Sequence, residues 1–159
     1  MPFQSVSDGE SRAIVMSMSE LIRVLVVEDD EVSAKAVRVM LERLACSVEI
    51  VEDGAQAVER FRDHKYDLVL MGWQMPVMDG FEATARIRIM LHGEEIPIIG
   101  TTAGRDRAEC MAAGMNDLMP KPFRLESLRL VLLRWTAWPG VKKSGKCKNG
   151  KCENGTTCV

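Results

Sequence analysis

No stretch of this chain approaches the roughly 18 consecutive apolar residues that a membrane-spanning helix needs. Its N-terminus also lacks the basic region, apolar block and small-residue cleavage site of an export signal. The sequence therefore predicts no membrane partner, and a cytoplasmic location is the expectation. An excess of positive charge is missing too. Residues 139–159 hold five Lys and one Glu, which leaves 16 basic against 22 acidic residues over 1–138. So acidic a body gives no reason to expect a nucleic-acid partner. The five cysteines do not form an even set: Cys46 and Cys110 fall in helical patterns, while Cys147, Cys152 and Cys158 fall in the tail. An odd total argues against a disulfide framework. The tail cysteines, with no fourth ligand beside them, do not match a zinc site that needs four. The two histidines, His64 and His92, sit in charged contexts at helix ends and receive no role.

What is present is an ordinary globular composition, 47% hydrophobic and 28% charged over 159 residues, enough for one domain with some chain to spare. The domain is expected over residues 22–138. Residues 1–21 form a Ser-rich leader without sustained period, and the basic tail of 139–159 is poor enough in apolar residues to be expected disordered.

The domain is organised around Asp67 to Gly80. Leu68-Val69-Leu70-Met71 is apolar without alternation, the pattern of a strand covered on both faces, as parallel strands between helices are. It ends on Gly72 and turns through Met75-Pro76 and Asp79-Gly80. Before it, the run Arg23 to Val27 stops at Glu28-Asp29-Asp30-Glu31. A helix follows over Glu31 to Leu44, with Val32, Ala36, Val39, Met40 and Leu44 as its apolar face and acids at its start to complement the dipole. A strand is expected over Ser47 to Glu52, then a helix carrying Ala57, Val58 and Phe61. After the central strand, Asp79 caps a helix with Ala83, Ile87, Met90 and Leu91 on one face. A strand over Ile96 to Gly100 and a helix over Arg105 to Ala113, stopped by Gly114, come next. Asn116 to Met119 is the fifth strand. Leu125, Leu128, Val131, Leu132 and Trp135 mark the last helix, with Trp135 and Trp138 covering the end of the core. Five alternations of strand and helix predict the α/β class: a doubly wound, flavodoxin-like five-stranded parallel sheet with helices on both faces.

Ligands of such sheets sit beyond the carboxyl ends of the strands. That gathers Glu28 and Asp29 after the first strand, Gly72 after the third, Thr102 after the fourth and Lys121 after the fifth. Adjacent carboxylates suit a hard cation such as Mg²⁺, while a hydroxyl and an ammonium suit the oxygens of an anion. The set fits a phosphoryl group handled with a metal. Acids after the first strand would repel a nucleotide phosphate, so FMN or a dinucleotide is not expected. Singly, each feature has a plainer reading: dipole compensation for the acids, a turn for Gly72, strand formation for Thr101 and Thr102. Their joint occurrence carries the chemistry.

Val26-Val27-Glu28-Asp29-Asp30, Leu68 through Gly80, Thr101-Thr102-Ala103 and Lys121-Pro122-Phe123 resemble, in order and spacing, the signatures of the receiver (CheY-like) domain of two-component response regulators. The resemblance covers about residues 22–138. It implies that Glu28 and Asp29 are the metal-binding acids, that Gln74 lends the metal its backbone carbonyl, and that Thr102 and Lys121 serve the phosphoryl group. It also implies that Gly72 stands at the phosphoacceptor position, where the family has an Asp that attacks a phosphohistidine. Leu118 stands where the family usually has an aromatic residue, Pro120 removes a donor beside the site, and Gly100 is expected to be loosely packed. The expectation is a degenerate receiver, not an enzyme and with no catalytic residue, that binds Mg²⁺ weakly and works by protein contact. Its expected partner is a sensor histidine kinase or a histidine phosphotransfer protein. Residues 105–134, comprising the fourth helix, fifth strand and last helix, are the contact region that the resemblance implies, and the same face is the candidate for a homodimer. The alternative is a phosphoryl acceptor in which Asp29, Asp30 or a nearby hydroxyl replaces Gly72, or a metal-dependent phosphohydrolase.

Overall fold

A computed structural model describes residues 21–104 and 107–136. The tail with Trp138 and its three cysteines, and all of the leader but Leu21, lie outside the described residues. In chain order the elements are β1 (Ile22–Val27), α1 (Glu31–Arg43), β2 (Cys46–Val51), α2 (Gly54–Asp63), β3 (Leu68–Gly72), α3 (Gly80–Arg88), β4 (Ile98–Thr102), α4 (Arg107–Ala112), β5 (Asp117–Pro120) and α5 (Leu125–Trp135). All strands are parallel in the order β2-β1-β3-β4-β5. The order reverses between β1 and β3, so the crevice of the sheet opens where these two strands end.

The unbroken apolar runs follow from this layering. Successive side chains of a strand point to opposite faces, and here both faces are covered. Leu25, Val27, Val69, Met71 and Ile98 pack against Ala57, Phe61, Ala83, Ile87 and Cys110 of α2, α3 and α4. Val24, Val26, Leu68, Leu70 and Ile99 pack against Val37 and Leu41 of α1 and Leu128 and Leu132 of α5. Each such fully buried side chain stabilises the fold by roughly 1.5–3 kcal/mol. Three side-chain caps set where helices start: Asp30 accepts from the Ser33 amide, Asp53 from Gln56 and Asp79 from Glu82.

Several expectations need correction. α1 buries Ala34, Val37 and Leu41, not the stripe of Val32, Ala36 and Val39; Val32 and Val39 are 75% and 55% exposed. Cys46 opens β2 and is not helical; burial first, then the Asp67 charge, raises its thiol pKa to about 11. α3 stops at Arg88, so Met90 and Leu91 belong to the following turns, and His92 holds a left-handed φ of 64°. β4 begins two residues late, at Ile98, because Pro97 has no amide to give the ladder; its carbonyl still accepts from Val69. Gly100 is not loosely packed: a Cβ there would lie 2.7 Å from Met115 Sδ and 2.8 Å from Leu118 Cδ2. β5 runs from Asp117, one residue later than expected, and as an edge strand it tolerates Pro120 at its end.

Candidate functional site

Three of the residues expected at the strand ends are brought together, and two of them touch. Glu28 leaves β1 with its amide bonded to the Val51 carbonyl at 3.0 Å, which holds its side chain under the crevice at 2% exposure. Lys121 leaves β5 with its amide bonded to the Thr102 carbonyl at 3.0 Å. The Lys121 ammonium then reaches Glu28 Oε2 at 2.5 Å, bridging the ends of β3 and β4. This approach is off the direction of a hydrogen bond, so Oε2 is buried with the ammonium charge as its partner and no hydrogen bond. The other oxygen, Oε1, accepts from the Asp30 amide at 3.2 Å. Gly72 ends β3 between the two charged residues and contributes no side chain.

Asp29 is exposed, as is Gln74 in the loop after β3. Thr102 is partly exposed at the end of β4, paired in register with Pro120. Asp30 is spent on its cap: the Ser33 amide and hydroxyl hold its carboxyl below the ordinary carboxylate value. Of the donors expected for a divalent cation, Glu28 is buried at the crevice, whereas Asp29 and Gln74 are exposed. Oxygen donors and a buried carboxylate oxygen without a hydrogen bond fit Mg²⁺, with the Lys121 ammonium as its competitor. Among the described residues, no group of three or more His, Cys, Asp or Glu is placed to hold a metal.

The loop from Gly72 to Gly80 is held rigidly. Gly80 donates to the Trp73 carbonyl at 2.9 Å, and a Cβ on Gly80 would meet the Gly72 carbonyl oxygen at 2.1 Å, so only glycine allows this approach. Gly54 donates to the Met78 carbonyl at 3.1 Å and ties the loop to α2. Met78 donates back to Pro76 at 2.7 Å across Val77, whose φ of 67° is strained for a β-branched residue. Trp73 packs edge-on against Phe81, with ring centroids 5.9 Å apart.

Two side-chain hubs went unread in the sequence. Asp117, 7% exposed, accepts from Arg107 at 2.8 Å, Arg134 at 3.3 Å and the Trp135 indole at 3.2 Å, fastening α4 and α5 to β5. An acid inside a strand run was the available signal, since a buried charge requires partners. Arg88 donates to the carbonyls of Gly93, Ile96 and Gly114 and to Asn116 Oδ1, and burial lowers its pKa.

The strand order and the crevice between β1 and β3 define the class: a doubly wound, flavodoxin-like α/β domain. Its family is narrower still, because the profile described as "Response regulator receiver domain" matches residues 24–133, and the chain belongs to that family, whose members serve two-component and phosphorelay signalling. It is 33% identical over 138 residues to the transcription factor SKN7 of Saccharomyces cerevisiae, covering 85% of this chain but only 22% of that factor's length. Among solved structures it is similar to the receiver domain of the sensor histidine kinase PA1611 from Pseudomonas aeruginosa PAO1, which holds a magnesium ion in its active-site cleft. That match has a TM-score of 0.69 and 39% identity, over 72% of this chain and 97% of that one. A third similarity is to the Saccharomyces cerevisiae receiver domain of Ssk1, co-crystallised with the histidine phosphotransfer protein Ypd1. There the TM-score is 0.67 and the identity 25%, over 73% of this chain and 89% of that one. No helix of the described residues is long and apolar enough to cross a membrane.

Proposed function

We propose that this chain is a degenerate receiver: a protein-binding module of a phosphorelay that is not phosphorylated at the end of β3 and is not itself an enzyme. The observation that carries this reading is Gly72, which ends β3 at the crevice and has no side chain there. Acyl-phosphate formation needs a carboxylate oxygen to attack phosphorus as the phosphohistidine P–N bond breaks, its electron pair leaving with the imidazole nitrogen, which takes a proton from water. Glycine offers no such oxygen. The Glu28–Lys121 pair supports the reading, because the cation that would neutralise an incoming phosphoryl group is already neutralised by a buried carboxylate.

In this proposal Glu28, Asp29 and the Gln74 carbonyl would hold Mg²⁺, which when bound supplies charge neutralisation; Lys121 weakens it by competing for Glu28. The Thr102 hydroxyl and Lys121 are the remnants of phosphoryl handling. The partner is a sensor histidine kinase or a histidine phosphotransfer protein, supported by the likeness to a receiver domain that was crystallised with such a protein. The contact surface is the face of α4, β5 and α5, which also serves for a homodimer.

Incubation with acetyl phosphate or a phosphohistidine donor plus Mg²⁺ tests the proposal. The unaltered chain acquires no hydroxylamine-labile label. Gly72→Asp labels in part only, since a Cβ at 72 would lie 2.7 Å from the Val27 carbonyl oxygen and 3.3 Å from Met75 Sδ, and β1 and β3 must shift to admit it. Label on the unaltered chain refutes the degenerate reading and assigns the acceptor to Asp29, Asp30 or a hydroxyl.

A further inference from the structure

The sheet has two edges, and they are finished differently. β5 is 4 residues long and ends on Pro120, which blunts it. β2 is 6 residues long, Cys46-Ser47-Val48-Glu49-Ile50-Val51, with neither Pro nor Lys. Among the described residues its neighbour in the sheet is β1 alone. A strand edge of this length needs a device that keeps other chains from pairing with it, and a free charge is one such device. The charge here is committed elsewhere: the Arg60 guanidinium of α2 holds Glu49 at 3.2 Å and the Tyr66 hydroxyl donates to it at 2.5 Å.

One hydrogen bond fixes which backbone groups are free. The Glu28 amide donates to the Val51 carbonyl, so Val51 turns its backbone groups toward β1. The N–H and C=O of a strand residue point to the same side, and the side alternates from residue to residue. Ser47 and Glu49 therefore bond β1, while Cys46, Val48 and Ile50 turn their amides and carbonyls outward. The same three residues place their side chains on the α1–α5 side of the sheet, where Val48 and Ile50 are only partly buried. A second copy of the chain matches this edge. A two-fold axis perpendicular to the sheet pairs the strands antiparallel and keeps every side chain on its own face, so paired residues differ by an even number of positions. Centring on Glu49 sets Glu49 against Glu49, a like-charge contact. Centring on Val48 joins outward groups to outward groups, Val48 with Val48 and Cys46 with Ile50, and sets the Ser47 hydroxyl opposite the Glu49 carboxylate. Centres farther along the strand shorten the overlap.

We propose that two copies of this chain pair antiparallel through β2, centred on Val48, into one continuous sheet. The α4–β5–α5 face lies at the far edge and stays open. Sedimentation velocity over a dilution series and amide exchange read by NMR test the pairing on the full chain, under reducing conditions so that thiols do not cross-link. The sedimentation coefficient rises with concentration, and exchange at the Val48 and Ile50 amides slows with it, while Ser47 and Glu49 are protected at every concentration by β1. Val48→Pro removes an outward amide and spares the β1–β2 ladder, so it abolishes both changes and leaves the fold intact. Ser47→Glu sets a carboxylate opposite Glu49 twice per dimer and weakens association by about tenfold; Ser47→Lys strengthens it through the same contacts. A chain that is monomeric at the millimolar concentrations of the exchange experiment overturns the proposal. So does self-association that Val48→Pro leaves unchanged, which belongs to another face, and equal effects of Ser47→Glu and Ser47→Lys overturn the register centred on Val48.

Discussion

Replacing Asp117 by Asn tests whether one carboxylate fastens α4 and α5 to the sheet edge. The substitution keeps an oxygen for the Leu118 amide and Arg107, but it sets an amide NH₂ where Oδ2 accepts from Trp135 and Arg134. Arg107 and Arg134 are 58% and 67% exposed, so each pair is worth only about 0.5 kcal/mol after solvent screening. The indole bond from a partly buried Trp135 adds about 1 kcal/mol. The loss at pH 7 is then about 2 kcal/mol, or roughly 6–12 °C in Tm for a domain of this size. A pH dependence follows. Burial pushes the Asp117 carboxyl up, but the bonds from Leu118, Trp135 and Arg107 and the Arg134 charge together hold it below its ordinary value of 3.8. A depressed folded pKa gives stability that is complete above the unfolded value and is lost as pH falls through the folded one. The gap between the two proteins therefore stays constant from pH 7 to 5 and closes below about pH 4, where protonated Asp resembles Asn. Urea unfolding followed by tryptophan fluorescence at each pH measures it. A gap under about 0.5 kcal/mol at pH 7, or one undiminished at pH 3, would refute the reasoning.

Lys121→Met strands the buried Glu28 carboxylate and lowers stability by about 2–3 kcal/mol, at the low end for a broken buried pair because Lys121 is 27% exposed; adding Glu28→Gln recovers most of the loss in the same urea titration. Gly80→Ala drives a methyl into the Gly72 carbonyl and costs about 3 kcal/mol, read as a fall in Tm. Val77→Gly relieves a left-handed φ at a residue that is 86% exposed and packs little, so Tm rises by the equivalent of about 1 kcal/mol; an unchanged or lower Tm contradicts the assigned strain.

The sheet was legible because Leu68 to Met71 is apolar on both faces, and that pattern has few structural solutions. The crevice was legible because strand ends, once ordered, dictate which residues meet. The packing face of α1 was not. Val32, Ala36 and Val39 share helical spacing as good as that of Ala34, Val37 and Leu41, and only the direction in which the helix leaves its Asp30 cap decides between them. The start of β4 was missed because Pro97 is β-compatible in dihedral angle yet lacks the donor. Asp117 escaped because its partners lie 10, 17 and 18 residues away, beyond any local period.

The two hubs fasten α4 at opposite ends by different forces. At its N-terminus Arg107 is held by the Asp117 charge, an attraction that mobile ions weaken across a partly open surface. At its C-terminus the Gly114 carbonyl is held by Arg88, whose partners are carbonyls and an amide, with no titrating acid among them. Raising ionic strength or acidity thus weakens the tie at the N-terminal end of α4 and spares the one just past its C-terminal end, while Cys110 between them stays packed in the core.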